Sequence, residues 1–547
     1  MKPTVTTGTV PEPRDATGAP MAETFPRLIF NSDGDIHIRS KQPWINANEF
    51  YRGLNELAGT PVDVYSYSIN GGGDVYRHQS DVAPILGADM TDEEIEGMVD
   101  ASHPGNNALG RVDVENTQML LKLGMDPMVL LPKRAHELGM RFWASLRMND
   151  SHDDFPGGAF WHGSFKKAHP ELLIGSPYPG EKGGMLENDF TWAFNYAREE
   201  VRERQLAIIE ETLSKYDVDG LELDFLRGGF YFRLGEAQLG MPLMTDFVRK
   251  VRALVSDIAR RRCQSLTLAI RVDQTFELCE AKGLDARTWI KEELGDLFIP
   301  MSGGRLDMNA DVRGFVEAVV GTSCKIAGGL VGSAMGYGHV PHFDTGIYRS
   351  ATIEMLRAAA MSYYSQGASC IYTFNYDCQR FRGTENPYTD DELRALREVG
   401  DPALIARKNK RYAVTVDNRP EYSGEMESTW LQLPAALCAP GDQRTFTFYV
   451  GDDLAAAQRD GALKEVRLRL SIDGFSAPGD MVAVRLNRQE LQGEESSWRP
   501  RALMYPGAPV KQGLNELVIS LVKRREGAQT PLLIVGIEAL IHYDSGW

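Results

Sequence analysis

Glu222 and Asp224 are the positions at which this sequence most clearly offers chemistry. They lie in residues 218–225, where apolar and polar residues alternate as in a short strand, so both carboxyl groups face the same side. Carboxylates are costly to bury on an apolar face, and a face that opens into a wet pocket explains them best. The alternative is a buried, salt-bridged carboxylate near the rim of a barrel, which applies more to Glu222 than to Asp224.

A second carboxyl group is needed if the chemistry is cleavage of a glycosidic bond, because one group protonates the departing oxygen and another attacks the sugar or activates water. Asp224 is the predicted nucleophile or base, since the end of a strand would hold it rigidly. Asp273 follows the next apolar run and is the predicted acid, with Glu277 and Asp307 as rivals. The competing interpretation of Asp273 is an ion pair with a nearby arginine, and the choice between retention and inversion stays open.

Polar residues follow nearly every strand-like run, as a barrel active site requires, because each loop contributes one or two contacts to a substrate on the axis. We predict that a set of these residues binds the substrate: Trp143, Arg147, Asn149, His152, Glu222, Arg227, Arg271, His339 and Asn375.

Four arginines recur in the same ring, namely Arg147, Arg227, Arg271 and Arg305. Guanidinium groups suit the recognition of carboxylates and phosphates, so one hypothesis is an acidic or otherwise anionic sugar as substrate. The alternative is that these arginines neutralise the many carboxylates around them.

Metal and cofactor chemistry are not expected. His339 and His342 flank Pro341, so they lack helical spacing, and no recognised zinc motif is present, although His152 with its two following aspartates could form a ligand cluster. The glycines at 71–73 lack the spacing of a nucleotide-binding loop. The sequence therefore predicts substrate-binding histidines, no metal and no cofactor.

The elements that must position these residues follow an alternating order. Eight short apolar runs recur at 27–31, 62–68, 140–146, 220–225, 265–272, 297–301, 324–330 and 369–375. Helix-like patterns lie between them at 192–216, 244–261, 287–294, 311–320 and 353–366. Strands that alternate with helices indicate a parallel sheet, and eight units close a (β/α)8 TIM barrel. The long connections 71–126 and 148–191 are predicted to be functional loops, although the aromatic residues of the second would equally form a small local core.

The pattern changes after residue 400. Short alternating runs at 412–416, 445–450, 465–472, 481–487, 516–522 and 532–542 are separated by turn signals, which is typical of an antiparallel β-sandwich. We therefore predict a flexible N-terminal segment at 1–23, a catalytic barrel at 24–400 and an accessory sandwich at 411–547.

Composition excludes some partners. The chain has 547 residues, enough for two domains, and its net charge of −17 argues against nucleic acid or an anionic membrane as the main partner. No signal peptide is visible and the cysteines form no disulfide or zinc pattern, so a cytoplasmic location is expected, with secretion after removal of a leader as the alternative. Homo-oligomer formation is left open.

The fourth apolar run resembles the corresponding strand of the glycosyl-hydrolase-like (β/α)8 barrel family, in which Val-Asp-Gly is followed by Asp-aromatic-x-Arg. Val218, Asp219, Gly220, Asp224, Phe225 and Arg227 fall on that pattern. The run is also similar to the chitinase strand, but Leu226 stands where the chitinases carry their catalytic Glu. The resemblance implies glycoside hydrolysis, and only the role of Asp224 carries over.

The expected activity is thus hydrolysis of an oligo- or polysaccharide, with the acidic sugar as a hypothesis. Two alternatives are a barrel lyase or isomerase that abstracts a sugar proton, with or without a metal, and a carbohydrate-binding protein without catalysis.

Overall fold

Eight parallel strands close into a barrel in the computed structural model. The structure describes residues 25–38, 47–98, 104–154, 159–175, 191–227, 230–302, 306–335, 348–376, 387–414, 432–495 and 502–544. The barrel strands are β1 (Leu28–Ser32), β2 (Val64–Ser68), β3 (Arg141–Arg147), β4 (Gly220–Asp224), β5 (Thr267–Asp273), β6 (Leu297–Met301), β7 (Lys325–Val331) and β8 (Cys370–Phe374). Neighbours in the chain are neighbours in the barrel, and β1 closes it by pairing with both β2 and β8. The predicted barrel is confirmed.

Helices cover the outside of the barrel, and local sequence sets their ends. The longer ones are α1 (Pro104–Lys122), α2 (Pro127–Glu137), α3 (Glu199–Lys215), α4 (Ala237–Arg262), α5 (Phe276–Ala281), α6 (Ala286–Lys291), α7 (Arg313–Ala318), α8 (Ile353–Gln366) and α9 (Asp390–Val399). Shorter turns of helix are Asp35–Ile38, Ala47–Phe50, Arg52–Asn55, Asp92–Glu96, Ser164–Ala168 and Pro402–Ile405. The Thr352 hydroxyl caps the start of α8 by accepting from the Met355 N–H, and Gly367 ends this helix with a φ of 107°. Among the described residues, no helix combines the length and the apolar character that a membrane crossing needs.

The inside of the barrel is apolar below and polar above. Ile29, Val64, Trp143, Ala269, Leu297 and Cys370 belong to one buried apolar cluster. The motif residue Gly220 makes room for this layer, because a Cβ there would lie 2.7 Å from the Trp143 ring and 2.8 Å from the Thr267 carbonyl oxygen. Side chains one and two layers nearer the carboxyl ends of the strands are largely polar, and they are the subject of the next section.

Two antiparallel sheets follow the barrel, as expected of a β-sandwich. Their strands are β9 (Lys410–Ala413), β10 (Ala435–Leu437), β11 (Gln443–Val450), β12 (Leu463–Asp473), β13 (Met481–Leu486), β14 (Ala502–Pro506), β15 (Gly513–Lys523) and β16 (Leu532–Tyr543), with two-residue strands at Gln489–Glu490 and Glu494–Glu495. In one sheet β16 lies between β9 and β12, and in the other β15 lies between β11 and β13. Phe446, Phe448, Leu468 and Leu470 are buried at alternate positions of their strands, which is the period-two pattern of a sheet with one covered face.

One predicted connection contains more structure than expected. The segment 71–126, predicted as a long loop, includes helix α1 of 19 residues and a small hairpin between Asn70–Gly72 and Val75–Tyr76. The predicted flexible segment 1–23 lies outside the described residues.

Candidate active site

Three neighbouring strands bring Arg147, Asp224 and Arg271 into line at the carboxyl mouth of the barrel. Arg147 on β3 is opposite Asp224 on β4, and Asp224 is opposite Arg271 on β5. Because side chains alternate along a strand, all three lie on the same face of the sheet. The structure therefore places an acid between two bases where the active sites of such barrels lie.

The carboxylate of Asp224 is fixed in one orientation. Both of its oxygens accept from the Arg271 Nη1, each at 2.8 Å, and Oδ1 also accepts from the Leu226 N–H at 2.9 Å. Arg271 is itself held, since its guanidinium carbon lies 3.6 Å from the centre of the Phe374 ring. Asp224 is 1% exposed and Arg271 is 0% exposed, so this ion pair is shielded from bulk water.

Glu222 lies one layer below Asp224 on the same face of β4. Its carboxyl group accepts from the Ser66 hydroxyl at 2.5 Å and from the Tyr372 hydroxyl at 2.7 Å. Burial and the nearby charge of Asp224 raise the pKa of Glu222 to about 6, against the opposing influence of these two hydroxyls and of Arg271. Glu222 is therefore a proton-binding group inside the barrel and does not line its mouth.

A second cluster of charges surrounds Arg147. Its guanidinium is ion-paired with Asp33, which follows β1, and with Asp150 at 3.1 Å. Asn375, which follows β8, donates from its side-chain amide to Asp33 at 2.7 Å. Asp150 also accepts from the backbone N–H of Gly73 at 2.9 Å, and a Cβ at Gly73 would lie 2.4 Å from the Trp161 carbonyl oxygen. The ends of β1, β3 and β8 are thus joined by one network.

His152 and Arg227 continue this network towards the axis. The Asp150 carboxylate accepts from the His152 Nδ1 at 2.6 Å, so Nε2 is left to accept from the Arg227 Nη2 at 2.9 Å. Burial lowers the pKa of His152 together with the charge of Arg227, although Asp150 opposes them. Burial raises the pKa of Asp150, but His152, Arg147 and Arg227 outweigh this and bring it well below the ordinary range. At neutral pH the chain is therefore carboxylate, neutral imidazole and guanidinium.

The predicted acid Asp273 lies at the end of β5 and has a basic partner. Lys282, just after α5, contacts its two oxygens at 2.8 and 2.7 Å. The predicted ion-pair partners Arg271 and Arg227 are engaged with Asp224 and His152 instead. As an acid, Asp273 would exchange this contact for the departing oxygen.

The two rivals of Asp273 lie in different surroundings. Glu277 is on α5 with 79% of its side chain exposed. Asp307 is buried, and its carboxylate accepts from the Asn309 N–H at 2.8 Å, in a loop whose Asn309 also contacts the sandwich. Neither of these contacts is made with the charged network at the mouth.

Two predicted sugar contacts are placed among protein atoms. Trp143 is fully buried beside Gly220, deep in the barrel. Asn149 donates its amide to the carbonyl oxygens of Phe194 and Phe230, at 2.9 and 2.5 Å, and accepts from the Phe194 N–H at 2.8 Å. In this structure both residues support the site from below or behind. His339 and Arg305 lie outside the described residues.

Several members of the site were missing from the predicted set. Asp33 and Asp150 follow strands, and that position was the available signal for them. Ser66, Tyr372 and Phe374 occupy alternate positions on the inner face of β2 and β8, a pattern that could have identified them. Lys282 carried no such signal. Within the described residues, no group of three His, Cys, Asp or Glu side chains is arranged to hold a metal ion.

Comparisons with known proteins give structural resemblances only. No protein-family model matches the chain, and no curated protein matches it. Among solved structures, a family GH36 α-galactosidase from Geobacillus stearothermophilus is 12% identical with a TM-score of 0.33, over 90% of this chain and 55% of that one. The PgaB glycoside hydrolase domain from Bordetella bronchiseptica is 14% identical with a TM-score of 0.39, over 69% and 99%.

An isomaltulose synthase from a Klebsiella species is 10% identical with a TM-score of 0.38, over 90% of this chain and 98% of that one. The chain thus spans 55% of the first α-galactosidase structure. These similarities are too low to transfer an activity, so the function has to be argued from the site itself.

Proposed function

We propose that this protein is a glycoside hydrolase that works at the carboxyl mouth of its barrel, with Asp224 as one of two catalytic carboxyl groups. The observation that carries the proposal is the convergence of charges from separate strands: Asp33, Arg147, Asp224 and Asp273 meet at one end of the barrel. Charges at this depth cost free energy in the folded state, and a substrate on the axis gives them a use.

The surroundings of Asp224 suit a nucleophile or a base. Both roles need an ionised carboxylate with a fixed direction, and the ion pair with Arg271 and the Leu226 N–H supply both. As a nucleophile, Asp224 would bond to the anomeric carbon while the glycosidic oxygen leaves with a proton from the partner acid; as a base, it would take a proton from the attacking water. Asp273 is the proposed partner acid.

Product analysis across a panel of neutral and acidic glycans tests the proposal. Hydrolysis adds water and yields a reducing end, whereas a lyase yields an unsaturated product that absorbs ultraviolet light. We expect reducing ends, and a loss of about 10³-fold or more in kcat for Asp224→Asn. Binding of the same glycan should change little, because the substitution removes a charge and keeps the shape.

Glu277→Gln is the matched control, since it removes an exposed carboxyl group next to the site and also tests a rival acid. Unsaturated products would favour the lyase, and binding without turnover across the panel would favour a carbohydrate-binding protein. Full activity of Asp224→Asn would remove the proposed mechanism.

A further inference from the structure

The arginines at the mouth differ in what neutralises them. Arg147 is ion-paired with Asp33 and Asp150, and Arg271 with Asp224. These two arginines therefore serve the neighbouring carboxylates, as the alternative interpretation of the sequence holds for all four.

Arg227 has a different environment. Among the residues that the structure describes, no carboxylate lies within ion-pair distance of its guanidinium, whose recorded polar partner is the His152 Nε2 at 2.9 Å. A neutral imidazole that accepts a hydrogen bond does not cancel the charge. The Arg227 Nε is buried and has no hydrogen-bond partner in the described part of the chain.

The ring of Phe374 connects Arg227 to the catalytic end of the site. The guanidinium carbons of Arg227 and Arg271 lie 5.8 and 3.6 Å from the centre of this ring. The Arg271 Nη2 is also buried without a hydrogen-bond partner among the described residues. Two donors that have no acceptor in the described protein thus flank one aromatic ring at the barrel axis, beside Asp224.

We infer, resting on the proposed function, that the substrate is a sugar acid and that Arg227 binds its carboxylate. A guanidinium presents parallel N–H donors that match the two oxygens of a carboxylate, and a neutral sugar would leave its charge unanswered. The protein carries a net charge of −17, so an anionic substrate needs such a local positive group to remain bound. Arg227 would thereby set the specificity of the site.

Paired ligands that differ only in charge test this inference. We would measure the affinities of trigalacturonate and triglucuronate and of their methyl esters by calorimetry, or as kcat/KM where the wild type cleaves them. We expect the free acid of at least one sugar to be preferred about tenfold or more over its ester, as charge-assisted hydrogen bonds imply. Added salt should weaken only the acid.

Arg227→Gln should abolish the preference, and Arg227→Lys should retain part of it because the charge remains without the planar fork. Arg287→Gln is the matched control, since Arg287 also lies over a phenylalanine ring, at 3.9 Å from Phe276, but on the exposed face of α6. Its preference should equal that of the wild type. Unfolding midpoints of all variants show whether each one is folded.

Equal affinity for acid and ester, binding of neither, or a preference that survives Arg227→Gln in the folded variant would overturn the inference. Its failure is distinguishable from that of the proposed function. Acid-selective binding through Arg227 without Asp224-dependent hydrolysis removes only the hydrolase, and Asp224-dependent hydrolysis of neutral glycans removes only the sugar acid.

Discussion

Two carboxyl groups on one strand have opposite environments at the residue scale. Asp224 is compensated by the Arg271 guanidinium, whereas Glu222 has two hydroxyl donors and no direct cation contact among the described residues. The difference arises because the shear of the barrel brings an arginine beside one carboxyl group and alanine, Ala269, beside the other. Proton uptake inside the barrel is therefore expected at Glu222.

Glu222→Gln should make stability less dependent on pH. The folded pKa of about 6 exceeds the ordinary value of 4.5, so Glu222 binds its proton more tightly in the folded protein. That stabilisation is complete below pH 4.5 and is lost as the pH rises through about 6. Relative to the wild type, the variant should gain about 2 kcal/mol of unfolding free energy between pH 4.5 and pH 7.

Urea unfolding at several pH values measures this difference. Glu277→Gln, at an exposed carboxyl group, should show no comparable change between the same pH values. A Glu222→Gln variant whose stability follows the wild type at every pH would show that Glu222 does not titrate in this range.

Sequence reasoning predicted part of this scale. Alternation along β4 placed Glu222 and Asp224 on one face, and the strand end indicated Arg147. The partners across the barrel depend on its shear, and Lys282 approaches Asp273 only because α5 turns back over the mouth. Such contacts leave no periodic pattern in the sequence.

At the scale of elements, the segment after β3 is anchored by a buried ion pair. Lys166 and Asp153 have fully buried side chains 2.8 Å apart, and His162 contacts the same carboxylate oxygen at 3.0 Å. Because Asp153 follows closely after His152, this anchor also positions the imidazole of the site.

Lys166→Met should destabilise the protein by about 3–5 kcal/mol, because it leaves the Asp153 charge buried without its cation. Adding Asp153→Asn should recover part of that loss, since the second substitution removes the unpaired charge. Lys167→Met is the control, because half of the Lys167 side chain is exposed, and it should change stability by less than about 1 kcal/mol. Chemical denaturation measures all four proteins, and a loss no larger for Lys166→Met than for Lys167→Met would contradict the anchor.

Helix α1 shows why the segment 71–126 was predicted as a loop. Its sequence includes Gly110, and a glycine within a helix weakens the helical signal. In the structure a Cβ at Gly110 would lie 2.5 Å from the Phe160 ring, so close packing against that ring requires the glycine. A tertiary contact, which single-sequence patterns do not contain, decides this element.

For the whole molecule, the barrel and the sandwich share a buried polar junction. Asp452 accepts from Lys410 at 2.8 Å, from Tyr543 at 2.5 Å and from Tyr412. The preceding residue, Gly451, packs so closely on helix α8 that a Cβ there would lie 2.4 Å from the Met361 carbonyl oxygen. The two parts are therefore expected to unfold together.

Asp452→Ala should lower the unfolding free energy by about 3–5 kcal/mol, because it leaves the buried Lys410 ammonium without its carboxylate. Calorimetry should show one transition for the wild type, moved to a lower temperature or split in the variant. Asp460→Ala breaks an exposed ion pair with Arg407 and should cost no more than about 1 kcal/mol. Two separate transitions in the wild type would contradict the shared junction.

The architecture could be predicted because it depends on periodicity. The predicted run 297–301 coincides with β6, and 324–330 differs from β7 by one residue at each end. In the sandwich, the predicted run 445–450 lies within β11, whereas β14 was not predicted. Strand β14 is short and two of its residues are only partly buried, so its alternation is weak.

The most direct test of the account is a crystal structure of Asp224→Asn soaked with an oligosaccharide that the wild type cleaves. The account predicts a glycosidic bond on the barrel axis, with its anomeric carbon beside residue 224 and the departing oxygen facing a second carboxyl group. Sugar bound elsewhere, with residue 224 sealed beneath protein side chains, would contradict it.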